Sequence, residues 1–131
     1  MSYMDDRSEQ IDLSIAASAS ASVVTYLGSG KSLVGIDVPD DFEATTTGLL
    51  FTVGAAGTNT APTMKPLLDP AGAAVTGSRV TVAASSSNRC VPLSPSNFVG
   101  WDFVKVTAVN ASSSAVKQTA ARTITGIVKV L

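Results

Sequence analysis

The stretch Gly100-Trp101-Asp102-Phe103-Val104-Lys105-Val106-Thr107-Ala108 decides the fold class. Val104, Val106 and Ala108 fall at every second position, the period of a strand with one buried face, and Trp101, Phe103 and Lys105 fall on the other face. Upstream, Ile11, Leu13 and Ile15 alternate with Asp12 and Ser14, and Val34, Ile36 and Val38 alternate with Gly35 and Asp37. Residues 49–53, 79–83 and 122–131 continue the pattern, and 22–27, 65–68 and 89–93 are shorter candidates. Turn chemistry separates these runs at Gly28-Ser29-Gly30, Pro39-Asp40-Asp41, residues 54–57, Asp69-Pro70-Ala71-Gly72 and Ser94-Pro95-Ser96-Asn97. Eight or nine short strands punctuated in this way predict an all-β protein, an antiparallel β-sandwich of jelly-roll type. Helix is expected only as one turn over 95–99, with Ser94 as its cap.

The Ala/Ser tract at 16–22 interrupts the pattern. With the acids before it, it suggests that residues 1–20 form an extended acidic arm preceding a single domain over 21–131. Acids and bases divide along the chain: residues 1–43 carry eight acids and two bases, whereas 44–131 carry two acids and seven bases. This split reads either as ordinary solvated surface or as an acidic arm packing on a basic face, of its own subunit or of a neighbour.

Composition narrows the chemistry. A net charge of −1 argues against nucleic acid or an acidic membrane surface as a partner. Histidine is absent, which removes Ser-His-Asp triads, Cys-His dyads and most zinc sites. The single cysteine, Cys90, has no partner for an internal disulfide and reads as a small buried thiol in a strand. No basic, apolar leader opens the chain and no apolar run approaches 18 residues, so neither secretion nor membrane insertion is expected.

No motif assembles into a catalytic site. Gly28-Ser29-Gly30-Lys31-Ser32 ends like a phosphate-binding loop, but Thr25 stands where the motif needs its first glycine. An alternating strand follows the lysine where a helix should begin, so a hairpin turn is expected. Asp40 and Asp41 are adjacent carboxylates without the spaced oxygen ligands of a calcium loop. Asn110-Ala111-Ser112 reads as a polar loop. The expectation is a non-enzymatic protein without cofactor or metal. The candidate interface residues are Asp5, Asp6, Ile11, Leu13 and Ile15 on the arm, and Trp101, Phe103 and Lys105, which face outward if Val104 and Val106 face the core; a bulge after Gly100, or cover by residues 95–99, would instead make the aromatics core.

Several spaced signatures carry a resemblance. They are Ile36-Asp37-Val38-Pro39-Asp40-Asp41-Phe42, Leu50-Phe51-Thr52-Val53-Gly54, Pro66-Leu67-Leu68-Asp69, Val91-Pro92-Leu93-Ser94-Pro95, Phe98 to Val106, and Ala121-Arg122-Thr123-Ile124. Over residues 33–131 the chain resembles small structural proteins of tailed-bacteriophage virions, of the capsid cement, decoration or head-fibre-base type. The resemblance implies a homo-oligomeric protein on the particle exterior, made in the host cytoplasm, that binds and stabilises the shell through the major capsid protein and copies of itself. The competing expectation is a tail- or fibre-associated carbohydrate-binding or adhesion module, in which Trp101 and Phe103 stack on sugar rings.

Overall fold

The computed structural model describes residues 8–28, 30–39, 42–55, 63–67, 79–81, 89–93 and 97–130. Among these residues nine strands form two antiparallel sheets: β1 (Ser8–Ile15), β2 (Thr25–Tyr26), β3 (Lys31–Val38), β4 (Gly48–Gly54), β5 (Lys65–Pro66), β6 (Arg79–Thr81), β7 (Arg89–Pro92), β8 (Phe103–Val109) and β9 (Arg122–Val130). The first sheet has the order β1-β9-β3-β7. The second has the order β2-β8-β4-β5, with β6 pairing β4 along the edge that β5 also uses. If β5 and β6 are counted as one interrupted strand, this is jelly-roll connectivity. The chain passes from one sheet to the other at almost every connection, so each sheet is completed by strands distant in sequence.

One core lies between the sheets. Leu13, Ile15, Leu33, Ile36, Val38, Ile124 and Val128 come from the first sheet, and Leu49, Phe51, Val53, Val104, Val106 and Ala108 from the second. Phe98, from the turn before β8, closes one end and meets Phe51 edge-on, with ring centroids 5.7 Å apart. Gly126 is buried in β9 with Ile11 and Leu33 filling the space above it, and it stands opposite Ile11 on one side and Ile36 on the other.

Residues 8–20 are not an arm preceding the domain. β1 pairs with β9 along its whole length, from Ser8 opposite Lys129 to Ile15 opposite Arg122. Residues 16–22 then carry the chain around the corner from the first sheet to the second. A turn closes between Ala19 N and Ala16 O, Ser18 adopts φ 69°, and Ala21 bridges to Thr107. The Ala/Ser tract therefore serves as a tight corner whose small side chains let two sheets approach, not as a linker. Asp5 and Asp6 lie outside the described residues.

Two irregularities reset the alternation. A bulge between Leu33 and Gly35 in β3 lets Leu33 and Ile36 both face the core, so Leu33 takes the inward place that alternation assigns to Val34, which is only half-buried. On β8's other edge, the pairs Ala21 with Thr107 and Thr25 with Val104 leave one extra residue on the incoming strand. Val23 and Val24 bulge outward there, and the buried Ser22 hydroxyl accepts from Val106 N–H at 3.0 Å. This shortens the expected strand at 22–27 to Thr25–Tyr26.

The turn at Gly28 behaves as its glycines require but is not a hairpin, because β2 and β3 belong to different sheets. Gly28 has φ +105°, and Lys31 N donates to Gly28 O. Strand β3 begins at Lys31 itself, so no helix N-terminus faces this loop. The helical turn expected over 95–99 is described only from Asn97, where Trp101 N donates to Phe98 O and Gly100 has φ 88°.

Candidate interaction surface

The outward face of the second sheet carries the aromatic side chains. Because Val104, Val106 and Ala108 are buried, Phe103, Lys105 and Thr107 point away from the core and are half-buried. Tyr26 is opposite Phe103 in the β2–β8 pairing, and their rings lie 5.3 Å apart at an interplanar angle of 50°. Tyr26 is 52% exposed, Trp101 40% and Val23, on the neighbouring bulge, 70%. Lys105 is opposite Thr52 on the same face, and Thr52 is in turn opposite Pro66. Beyond them, a cleft of about 480 Å³ is lined by Gly54, Thr63, Lys65, Pro66 and Trp101, with Val53, Ala55 and Leu67 completing it. This is an outward sheet face with a tilted aromatic pair at one margin, a tryptophan lining a shallow cleft, and Lys65 and Lys105 among its described charged side chains.

The structure divides the sequence-derived candidates. Trp101, Phe103 and Lys105 share this outward region. Leu13 and Ile15 are fully buried and Ile11 packs against the same core, so these three serve the protein's own first sheet and are not available as anchors for a partner. Their alternation was a true strand signal, and the sheet it completes is internal.

Cys90 is exposed, not buried. It stands opposite Asp37 on β7, the short edge strand of the first sheet, while its neighbour Val91 stands opposite Ile36 and turns inward. A shallow groove of about 500 Å³ runs over this outer face, above Gly35 and between Cys90, Pro92, Ile127 and Lys129.

A polar cluster at the corner end was not visible in the sequence. Gln118 is buried, and its side-chain amide is fully used: Nε2 donates to Thr46 Oγ1 at 3.1 Å and to Val116 O at 3.2 Å, and Oε1 accepts from Glu43 N at 3.0 Å and from Arg122 Nε at 3.4 Å. Beside it, Glu43 Oε1 accepts from both the backbone N–H (2.8 Å) and the hydroxyl of Thr119, and Arg122 lies 3.6 Å from the same oxygen. The Thr119 hydroxyl and N–H, with a smaller contribution from Arg122, hold the Glu43 carboxyl below its ordinary pKa, partly opposed by desolvation. The Gln118 backbone is tied to the corner through Ser18 N and Ala19 O.

The described ion pairs are both internal. Glu9 pairs with Lys31 across the first sheet, and Glu43 with Arg122. Only the second joins the acidic first third of the chain to its basic remainder. Asn110 accepts from Ser112 N at 2.9 Å and Ser114 N at 3.0 Å, closing its own loop. Among the described residues, no group of three or more His, Cys, Asp or Glu side chains is arranged to hold a metal ion, and no helix is long and apolar enough to cross a membrane.

No protein-family model matches the chain, and no curated protein matches it.

Proposed function

We propose that this protein is a non-enzymatic structural component of a tailed-phage virion, a capsid cement or decoration protein that attaches to the shell through the outer face of its second sheet. The observation that carries this reading is the exposed aromatic strip on the outer face of the second sheet: Tyr26 tilted against Phe103, Trp101 two residues before it and Lys105 on the same surface. Aromatic side chains dominate the energetic centres of protein interfaces. The spaced resemblance over residues 33–131 supports the same reading. Jelly-roll connectivity agrees with it at the level of fold analogy, since capsid and lectin domains share that architecture.

The test is copy number in purified particles. Quantitative mass spectrometry is expected to find this chain in simple proportion to the major capsid protein. A few copies per particle would place it in the tail, and its absence from particles would end the reading.

A carbohydrate-binding module is the second reading, favoured by one feature: the cleft in which Trp101 faces Thr63, Lys65 and Pro66. Trp101 is the chain's sole tryptophan, so its emission reports occupancy of that cleft directly. Saturable quenching by oligosaccharides, lost in Trp101→Ala, would favour the sugar reading over the capsid one.

A further inference from the structure

We propose that Glu43 is an acid-released latch: its carboxylate holds residues 42–47 against the 118–122 segment, and protonation loosens that end of the sandwich. Three stretches distant in sequence converge there. The 42–47 loop arrives with Glu43 and Thr46, the approach to β9 brings Gln118, Thr119 and Arg122, and the corner at 16–20 joins through the Gln118 backbone. Gln118 already uses both amide hydrogens and both lone-pair directions of its carbonyl oxygen. It braces the three stretches but has no capacity left to replace a lost contact.

Glu43 is the member of this cluster whose charge changes in mild acid. Its Oε1 faces two donors from Thr119 and the Arg122 guanidinium. Hydrogen bonds to an ionised acceptor are about twice as strong as those to a neutral one, so protonation weakens both Thr119 contacts together. It also leaves Arg122, whose side chain is only 13% exposed, facing a neutral partner. Among the described residues the other packed stretches offer no substitute charge: residues 16–20 and 44–47 contain no ionisable side chain, and Lys117 is exposed and of the same sign as Arg122.

The sign follows from the lowered pKa of the folded Glu43. The contact is complete above 4.5, the ordinary value for this carboxyl, and is lost as pH falls through the lower value of the closed state. Between those two points, opening increases by up to about tenfold per pH unit for one proton taken up.

Amide hydrogen exchange and backbone NMR between pH 7 and pH 3 test this in the intact chain. In the wild type, the Thr119 amide is expected to titrate with a midpoint below 4.5, and protection at Thr46, Gln118 and Thr119 to fall across that range while the β8 amides stay protected. Glu43→Gln should flatten this local acid dependence. A Thr119 amide that does not titrate, or an equal local acid response in Glu43→Gln, would overturn the proposal. Thr119→Val keeps the carboxylate and removes only the hydroxyl donor, so it provides a second arm should Glu43→Gln fail to fold. Its midpoint is expected to rise toward 4.5, and an unchanged midpoint would also overturn the latch.

Discussion

A methyl group added at Gly126 would stand 2.9 Å from Ile11 Cγ1 and 3.0 Å from Leu33 Cδ1, the first from a partly buried side chain and the second from a fully buried one. Gly126→Ala is therefore expected to destabilise by about 1–3 kcal/mol through overpacking, measured by urea unfolding. The aromatics give a matched contrast. Phe51→Ala removes a fully buried ring and is expected to cost about 3–5 kcal/mol, whereas Phe103→Ala removes a half-buried one and is expected to cost less, its tilted contact with Tyr26 contributing about 0.5–1.5 kcal/mol of that. Thermal melting of the two variants under one buffer checks the order, and a reversed order would put Phe103 in the core. Alternation alone was enough to predict the inward turn of Val104 and Val106. It failed for Cys90 because period two says which residues share a face but not whether that face is covered. It said nothing of Gln118, whose burial comes from three loops meeting, with no local pattern to announce it.

Among the elements, β1 combines the alternation of an internal strand with flanking composition typical of an arm, and it pairs with β9 along its whole length. Ile11, Leu13 and Ile15 had the spacing of an internal strand, but the acids before them and the small-residue tract after them resembled the composition of an arm. The tract is made of small residues for another reason: it turns a corner between sheets, and Ser18 at φ 69° with the Ala19–Ala16 turn makes that corner tight. Deleting residues 1–15 is accordingly expected to abolish the cooperative fold, because it uncovers one whole edge of β9 and removes Leu13 and Ile15 from the core. Near-ultraviolet circular dichroism and a melting curve check this, and a retained sharp transition would show that β1 is dispensable. The bulges at Val34 and at Val23–Val24 were equally hidden, since an inserted residue is set by the strand beside it. The second has a visible effect on the surface: it breaks the free edge of the second sheet, which guards against edge-to-edge pairing, while turning two valines toward solvent next to Tyr26.

At the scale of the whole molecule, two-sheet architecture was legible from turn spacing and alternation, whereas strand order was not, because nothing local records which distant strands meet. Among the described residues the charge asymmetry along the sequence is bridged by one ion pair, Glu43 with Arg122. The Glu9–Lys31 pair lies within the acidic part itself, and the outward aromatic face bears Lys65 and Lys105 beside threonines and aromatic rings. If that face attaches the protein to a shell, attachment is expected to persist in about 1 M salt, where charges are screened beyond roughly 3 Å. Sedimentation of particles washed at low and high salt measures it, and release at high salt would assign the contact to charge. The strand order bears on synthesis as well. β9 lies between β1 and β3, yet it comes from the end of the described sequence farthest from β1. While the chain is still being made, β1 therefore waits without its sheet partner, its leucine and isoleucines open to chaperones and proteases, until residues 122–130 emerge from the ribosome.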